Sequence, residues 1–316
     1  MAVSVPTAMA AESIRNHFLI LNSYDECSPW VQEYISGLMY YLVNEKGVGC
    51  HVRHLNSALI NNDSVFDATL HKNLDHFDAN PPTGVIIIGR PAFSAREEIS
   101  RRWKDVPMLY MGLSDQIMPK EYEYAGSNID DAPVVNLKDI RNRYNFTFVK
   151  IPDHYRKTID MMVAMQPQLE RIVYASNDLS TSVQLRDSIR MYLDSKYPAI
   201  KMEWLNAGHD DDKLKDLLSE QHPETGVLLG NWYHLEDDDL GEKVFTAGDV
   251  VLIDQSPQPI FTIKENYMKA GVVGGVLPIR DDIMVKSYSV IDRMLKGDDM
   301  RDIPLNLDVE RTLHEE

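Results

Sequence analysis

The chain has 316 residues, 44% hydrophobic and 26% charged, the balance of a globular protein with room for two α/β domains. Its formal net charge of −17, with no Lys/Arg cluster to offset it, opposes a phosphate backbone and excludes nucleic acid as a partner. No run of about 18 apolar residues exists to cross a bilayer.

The first dozen residues include Ala8-Met9-Ala10, which has the form of the small-residue end of a secretory signal without the apolar stretch that should precede it. The reading is an export signal shortened at its start, or a plain tail. Phe18-Leu19-Ile20-Leu21 then reads as a buried strand opening into the polar loop 22–26. Ser28-Pro29 starts a helix, serine as cap and proline in the first turn. Val31, Tyr34, Ile35, Leu38 and Leu42 fall on one face of it, and Gly47-Val48-Gly49 ends it. A helix of that length separates Cys27 from Cys50 by roughly 25 Å, too far for a disulfide, so both read as free thiols.

A strand over 50–55 and a polar helix over 64–77 follow. Pro81-Pro82-Thr83-Gly84 then turns into Val85-Ile86-Ile87-Ile88, the clearest buried strand in the chain. Helix 94–103 and strand 107–111 complete a βαβαβαβ series, which implies a parallel sheet with helices on both faces. The middle repeats the theme. Strands are expected at 144–151, 171–175, 199–205, 227–229 and 250–253, with helices at 153–166, 180–195, 211–220 and near 238–245. Residues 19–25 and 172–178 share one shape, an apolar strand opening into a polar loop before a helix, which indicates two analogous lobes. Strands at 259–263 and 271–276, the second broken by glycines that permit close backbone packing, precede a helix over 281–296. That helix is expected to return to the first lobe. The expected division is 14–150, completed by 264–305, for the first lobe and 151–263 for the second, with 1–13 and 306–316 as flexible ends. The charged close from Leu307 to Glu316 carries no cap and reads as cut from a longer protein.

In parallel α/β sheets, ligands bind beyond the carboxyl ends of the strands. In the first lobe those ends offer Ser23, Tyr24, Trp30, Arg90, Ser114 and Asp115. In the second they offer Ser176, Asn177, Asp178, Asn206, Asn231, Trp232, Tyr233 and Asp254. Short polar groups give directional hydrogen bonds, and the aromatic rings stack on planar or sugar-like molecules. Each also has a plainer reading. Ser23, Ser176 and Asn177 fit helix caps; Trp30 and Trp232 fit cores; Arg90 suits an anion or an ion pair with a nearby acid; Asp178 and Asp254 suit loop bonds. No nucleophile elbow, phosphate loop or zinc-protease motif occurs. The ten histidines are scattered without metal-ligand spacing, so neither a cofactor nor a metal is expected.

The stretch from Leu19 to Trp30, with its Asn22-Ser23-Tyr24 loop and Pro29-Trp30 helix start, resembles the opening of periplasmic-binding-protein-like sensor domains. The stretch from Met165 to Asp178 resembles their second-lobe entry. Gly271 to Gly275, with the helix running on to Pro304, is similar to their return segment. The resemblance spans about residues 16 to 305 and implies a type I periplasmic-binding fold, two Rossmann-like lobes joined by a three-crossover hinge. It implies a small-molecule ligand in the inter-lobe cleft, no enzymatic activity in this chain and a periplasmic or extracytoplasmic location. It further implies the sensor of a membrane histidine kinase, often of the hybrid two-component kind, attached to the membrane through sequence missing here and acting as a homodimer. The other role it implies is the substrate-binding component of an ABC transporter. An α/β enzyme is the reading from a different class, and it would need a nucleophile–base pair at the strand ends.

Overall fold

The computed structural model describes residues 16–26, 29–123, 132–237, 243–247, 251–268 and 270–305, without the side chains of 29–30, 234–237, 243–247 and 251–252. Ser28, Cys27, the Trp30 side chain, the acidic residues at 238–239 and both chain ends therefore lie outside the described residues. Contacts divide the chain into two units, one running to Pro152 and resuming at Ile279, the other Asp153–Pro278.

The first unit is built on β1 (His17–Asn22), α1 (Pro29–Tyr40), β2 (Gly49–His54), α2 (Asp63–Leu74), β3 (Gly84–Ile88), α3 (Arg90–Phe93), α4 (Arg96–Arg102) and β4 (Met108–Gly112). A small antiparallel pair, β5 (Gln116–Ile117) and β6 (Val135–Asn136), leads to α5 (Leu137–Ile140) and β7 (Phe146–Lys150). The main sheet is parallel throughout, in the order β2-β1-β3-β4-β7. Strict alternation divides its side chains between two cores. Leu19, Leu21, Val85, Ile87, Met108, Tyr110, Phe146 and Phe148 face α2, α3 and α4. Phe18, Ile20, Ile86, Ile88, Leu109, Met111 and Val149 face the stripe Val31, Tyr34, Ile35, Leu38 and Leu42, all of it buried. A sheet covered on both faces needs apolar residues at every position, which is why these strands read as unbroken hydrophobic runs.

A last helix, Arg280–Leu295, joins the second of these cores through Ile283, Val290, Ile291 and Met294. Its Tyr288 ring stacks on Tyr41 at 4.0 Å, and the Tyr288 hydroxyl donates to Gly37 O at 3.2 Å.

The second unit comprises α6 (Tyr155–Met165), β8 (Arg171–Ser176), α7 (Ser180–Lys196), β9 (Lys201–Asn206), α8 (Asp211–Ser219), β10 (Thr225–Leu229), β11 (Tyr233–Asp237), β12 (Lys243–Ala247), α9 (Val251–Gln255) and β13 (Ile260–Thr262). The final helix, Arg280–Leu295, is α10 in chain order. The second sheet is again parallel, in the order β13-β10-β8-β9. Val173, Ala175, Val227 and Leu229 pack toward α8 and α9, while Ile172, Tyr174, Leu228 and Phe261 pack toward α6 and α7.

Three expectations are corrected. Residues 243–245, expected in a helix, form part of the antiparallel pair β11–β12. Residues 251–253, expected in a strand, open α9, where Ile253 reaches the core and Asp254 is exposed. The glycine-broken stretch at 271–276 makes a single parallel bridge, Phe261 with Gly274, instead of a strand. By contacts, residues 264–278 group with the second unit.

Ion pairs tie the helical shell of the first unit. Glu98 on α4 accepts from Arg101 Nε at 2.8 Å and from Arg102 Nε at 2.5 Å, and Arg102 reaches Asp75 beyond α2 at 2.7 Å. The Arg101 hydrogen bond, with Arg102 adding to it against a smaller opposing effect of burial, holds the Glu98 carboxyl down at about 2. A carboxylate whose folded pKa is depressed stabilises the fold above its unfolded pKa, and that contribution disappears as pH falls through the folded one. Urea unfolding is therefore expected to show stability lost between about pH 4.5 and 2. Glu98→Gln should flatten that slope, with an effect of about 1 kcal/mol because solvent screens the pair.

No helix among the described residues is long and apolar enough to cross a membrane. Cys50 is a free, half-buried thiol whose burial pushes its pKa up to about 12, so it is unreactive near neutral pH.

Candidate functional site

The carboxyl ends of the parallel strands in each unit carry the polar residues singled out above, and each rim has its own chemistry. In the first unit, β1 ends in Asn22, whose amide closes a tight turn on Tyr24, accepting from Tyr24 N at 3.3 Å and donating to Tyr24 O at 2.9 Å. Its Nδ2 also meets His54 Nδ1 at the end of β2, at 2.9 Å. Ser23 is fully buried, and its Oγ accepts from Ala92 N at 2.9 Å. That N–H belongs to the first turn of α3, so Ser23 caps a helix distant in sequence, not the one that follows it.

Gly89 makes this approach workable. Its φ of +87° is open to glycine, and a Cβ there would stand 2.5 Å from Ser23 Oγ and 2.9 Å from the Tyr24 ring. Arg90 follows, at the start of α3. It is buried, and its guanidinium forms an ion pair with the equally buried Glu123. Tyr110 lies close by, fully buried and stacked on Phe93 at 4.2 Å; burial raises its hydroxyl pKa, with the Arg90 charge opposing. Ser114 and Asp115 are half-buried in the turn beyond β4. Ser114 Oγ accepts from Gln116 N at 3.0 Å, and Asp115 O accepts from Leu137 N at 2.9 Å.

In the second unit the rim is richer in amides. Ser176 Oγ accepts from Trp204 Nε1 at 3.1 Å and donates to Asn177 O at 3.2 Å. Asn177 N donates to Asn231 O at 2.7 Å, joining the ends of β8 and β10. Asn177 Oδ1 accepts from Ser182 Oγ at 2.7 Å, and the half-buried Asn231 donates to the same hydroxyl at 3.4 Å. Two buried atoms at these ends have no hydrogen-bond partner among the described residues, Asn177 Nδ2 and Asn206 Oδ1. Buried amide atoms left unsatisfied are costly, so each calls for a partner such as a water, an ion or a ligand. Asp178 is exposed just beyond them and Tyr233 half-buried at the start of β11.

Two residues expected at this rim are placed elsewhere. The Trp232 ring is buried in the core with Ile253, Ile260 and Tyr267, while its backbone N donates to the Tyr267 hydroxyl at 2.9 Å. Asp254 sits in α9, not at a strand end. The turn after α9 bonds Ser256 Oγ to Leu218 O at 2.8 Å, and Gln258 bonds Thr225 O at the start of β10, so α9 descends to the amino edge of the sheet. The four-residue apolar run at 250–253 suits a buried strand or a one-sided helix, and only packing separates the two.

The sequence reading passed over Lys264. It lies two residues beyond β13, with its N–H bonded to Thr262 Oγ1 at 3.0 Å. Burial lowers the pKa of its amine, and the charge of Asp153 opposes that shift. A lysine outside an apolar run gives no periodic signal, and only the register of β13 reveals its position.

No family model and no curated protein matches the sequence. Solved structures resemble it along nearly its whole length. One, described as an ABC domain in complex with L-Trp from Streptococcus pneumonia, has 15% identity and a TM-score of 0.59, covering 92% of this chain and 88% of that one. A carbohydrate transporter solute-binding protein from Agrobacterium radiobacter in complex with D-arabinose has 14% identity and a TM-score of 0.54, covering 93% and 92%. The fructose-binding periplasmic domain of the hybrid two-component system BT1754 has 14% identity and a TM-score of 0.55, covering 90% and 86%. With two α/β units, each on its own parallel sheet, the chain has the type I periplasmic-binding fold.

Proposed function

We propose that this chain binds a small molecule at the carboxyl ends of its parallel strands and does no covalent chemistry on it. The observation that carries this reading is the pair of buried, unsatisfied amide atoms, Asn177 Nδ2 and Asn206 Oδ1, at adjacent strand ends of the second sheet. A bound molecule would satisfy both. The hydroxyls best placed for nucleophilic work are occupied otherwise. Ser23 Oγ holds a helix N–H and Ser176 Oγ holds an indole and a carbonyl, and no histidine is bonded to either among the described residues.

A thermal-shift panel of neutral sugars, amino acids, nucleobases and small acids tests the reading. A ligand that binds only the folded chain stabilises it by about 2.7 kcal/mol at a hundredfold excess over Kd, a shift of several degrees in Tm. Asn177→Ala and Asn206→Ala should each weaken the hit by about tenfold. A broad panel without a single shift would count decisively against binding.

Within that role, we favour the extracytoplasmic sensor of a membrane two-component histidine kinase, in which the ligand's preference for one arrangement of the two units biases a dimer. The likeness to the hybrid two-component domain supports it, and the likeness to carbohydrate-binding proteins supports a transport receptor as the second reading. The full reading frame separates them: a membrane helix followed by a kinase module supports the sensor, and a lipid-anchored or free receptor supports transport.

A further inference from the structure

The second sheet brings three residues to its carboxyl edge. Leu229 pairs with both Thr262 and Ala175, so the chain leaving β10 through Asn231 lies between the segments that carry Lys264 and Asn177. The Asn177 N to Asn231 O bond ties that chain to the end of β8, one residue beyond the regular register. On the β13 side, Thr262 Oγ1 donates to Leu229 O at 2.9 Å and accepts from Lys264 N at 3.0 Å, which fixes the Lys264 backbone against β10.

Two of the polar groups at this edge are donors. Asn177 Nδ2 is a buried donor without an acceptor among the described residues. No described carboxylate forms an ion pair with Lys264, although Asp153 acts on it electrostatically. Adjacent strands lie about 4.8 Å apart, so the backbones that carry the two donors stand roughly 10 Å apart along the rim, with the chain leaving β10 between them. An ammonium and an amide N–H so placed suit a group that accepts, and a carboxylate is such a group on small metabolites. The cation of the first rim is differently disposed, since Arg90 is committed to Glu123.

We propose that Lys264 recognises a carboxylate on the bound molecule, so that the second rim takes a small organic acid. The proposal rests on the small-molecule-binding reading above and narrows its ligand class.

The test is calorimetric titration with acids paired to neutral counterparts that lack the carboxylate: D-gluconate with D-glucose, D-galacturonate with D-galactose, N-acetyl-L-alanine with N-acetyl-L-alaninamide, N-acetyl-L-tryptophan with N-acetyl-L-tryptophanamide. The expected result is that an acid binds and its neutral partner binds at least about tenfold more weakly. Lys264→Met should weaken the acid by about tenfold to a hundredfold, and Lys264→Arg should restore it. Lys264→Met is expected to fold; should it not, Lys264→Gln and the wild-type comparison of paired compounds carry the same test. A neutral compound that binds while its acid does not overturns the proposal and leaves the binding function standing. So does an acid that binds Lys264→Met as tightly as wild type. Failure of every compound to bind overturns both.

Discussion

Gly275→Ala is expected to destabilise the second unit by about 3 kcal/mol or more, measured as a loss of urea-unfolding free energy. A Cβ on Gly275 would stand 1.7 Å from Thr262 O, and backbone cannot swing aside as a flexible side chain can. The strand end it would displace is held by Thr262 N donating to Gly274 O at 3.0 Å and by the Phe261–Gly274 bridge. Gly274 next to it provides the control. There the nearest atom to an added Cβ is Met161 Cε at 4.0 Å, so Gly274→Ala should cost little. Equal effects at the two positions would refute the assignment of close packing to Gly275. Because Thr262 also positions Lys264, the Gly275 variant should lose ligand binding together with stability.

The second large effect is expected at the buried pair Arg90–Glu123. Removing one member leaves an uncompensated charge in a site where Arg90 is only 5% and Glu123 6% exposed. Glu123→Leu and Arg90→Met are each expected to cost about 3–5 kcal/mol, while the double variant should cost far less than their sum. Chemical denaturation of the four proteins in the cycle gives the coupling directly. Additive losses would mean that the ion pair is not what holds these two side chains.

The parallel sheets were legible because their strands are buried on both faces. Runs such as Phe18 to Leu21 and Val85 to Ile88 leave no polar position for an amphipathic element, and the stripe from Val31 to Leu42 could only be a helix covering them. The region from 238 to 262 was less legible. Its apolar runs are short, and the antiparallel β11–β12 pair and α9 depend on contacts made far away in sequence. The rim residues were found by position at strand ends, but their bonding was not. Arg90 showed its charge in the sequence and not its pairing with Glu123. Ser23 showed capping chemistry and not which helix it caps. Lys264 escaped notice because its place follows from the register of a three-residue strand.

The central claim is that a small molecule is held at the carboxyl strand ends. A crystal structure of the chain with the strongest stabiliser from the thermal-shift panel tests it most directly. The account predicts density within hydrogen-bond distance of Asn177 Nδ2 and Asn206 Oδ1. A ligand seated at the amino edge of either sheet, or on an outer helix face with both amides still unsatisfied, would contradict it.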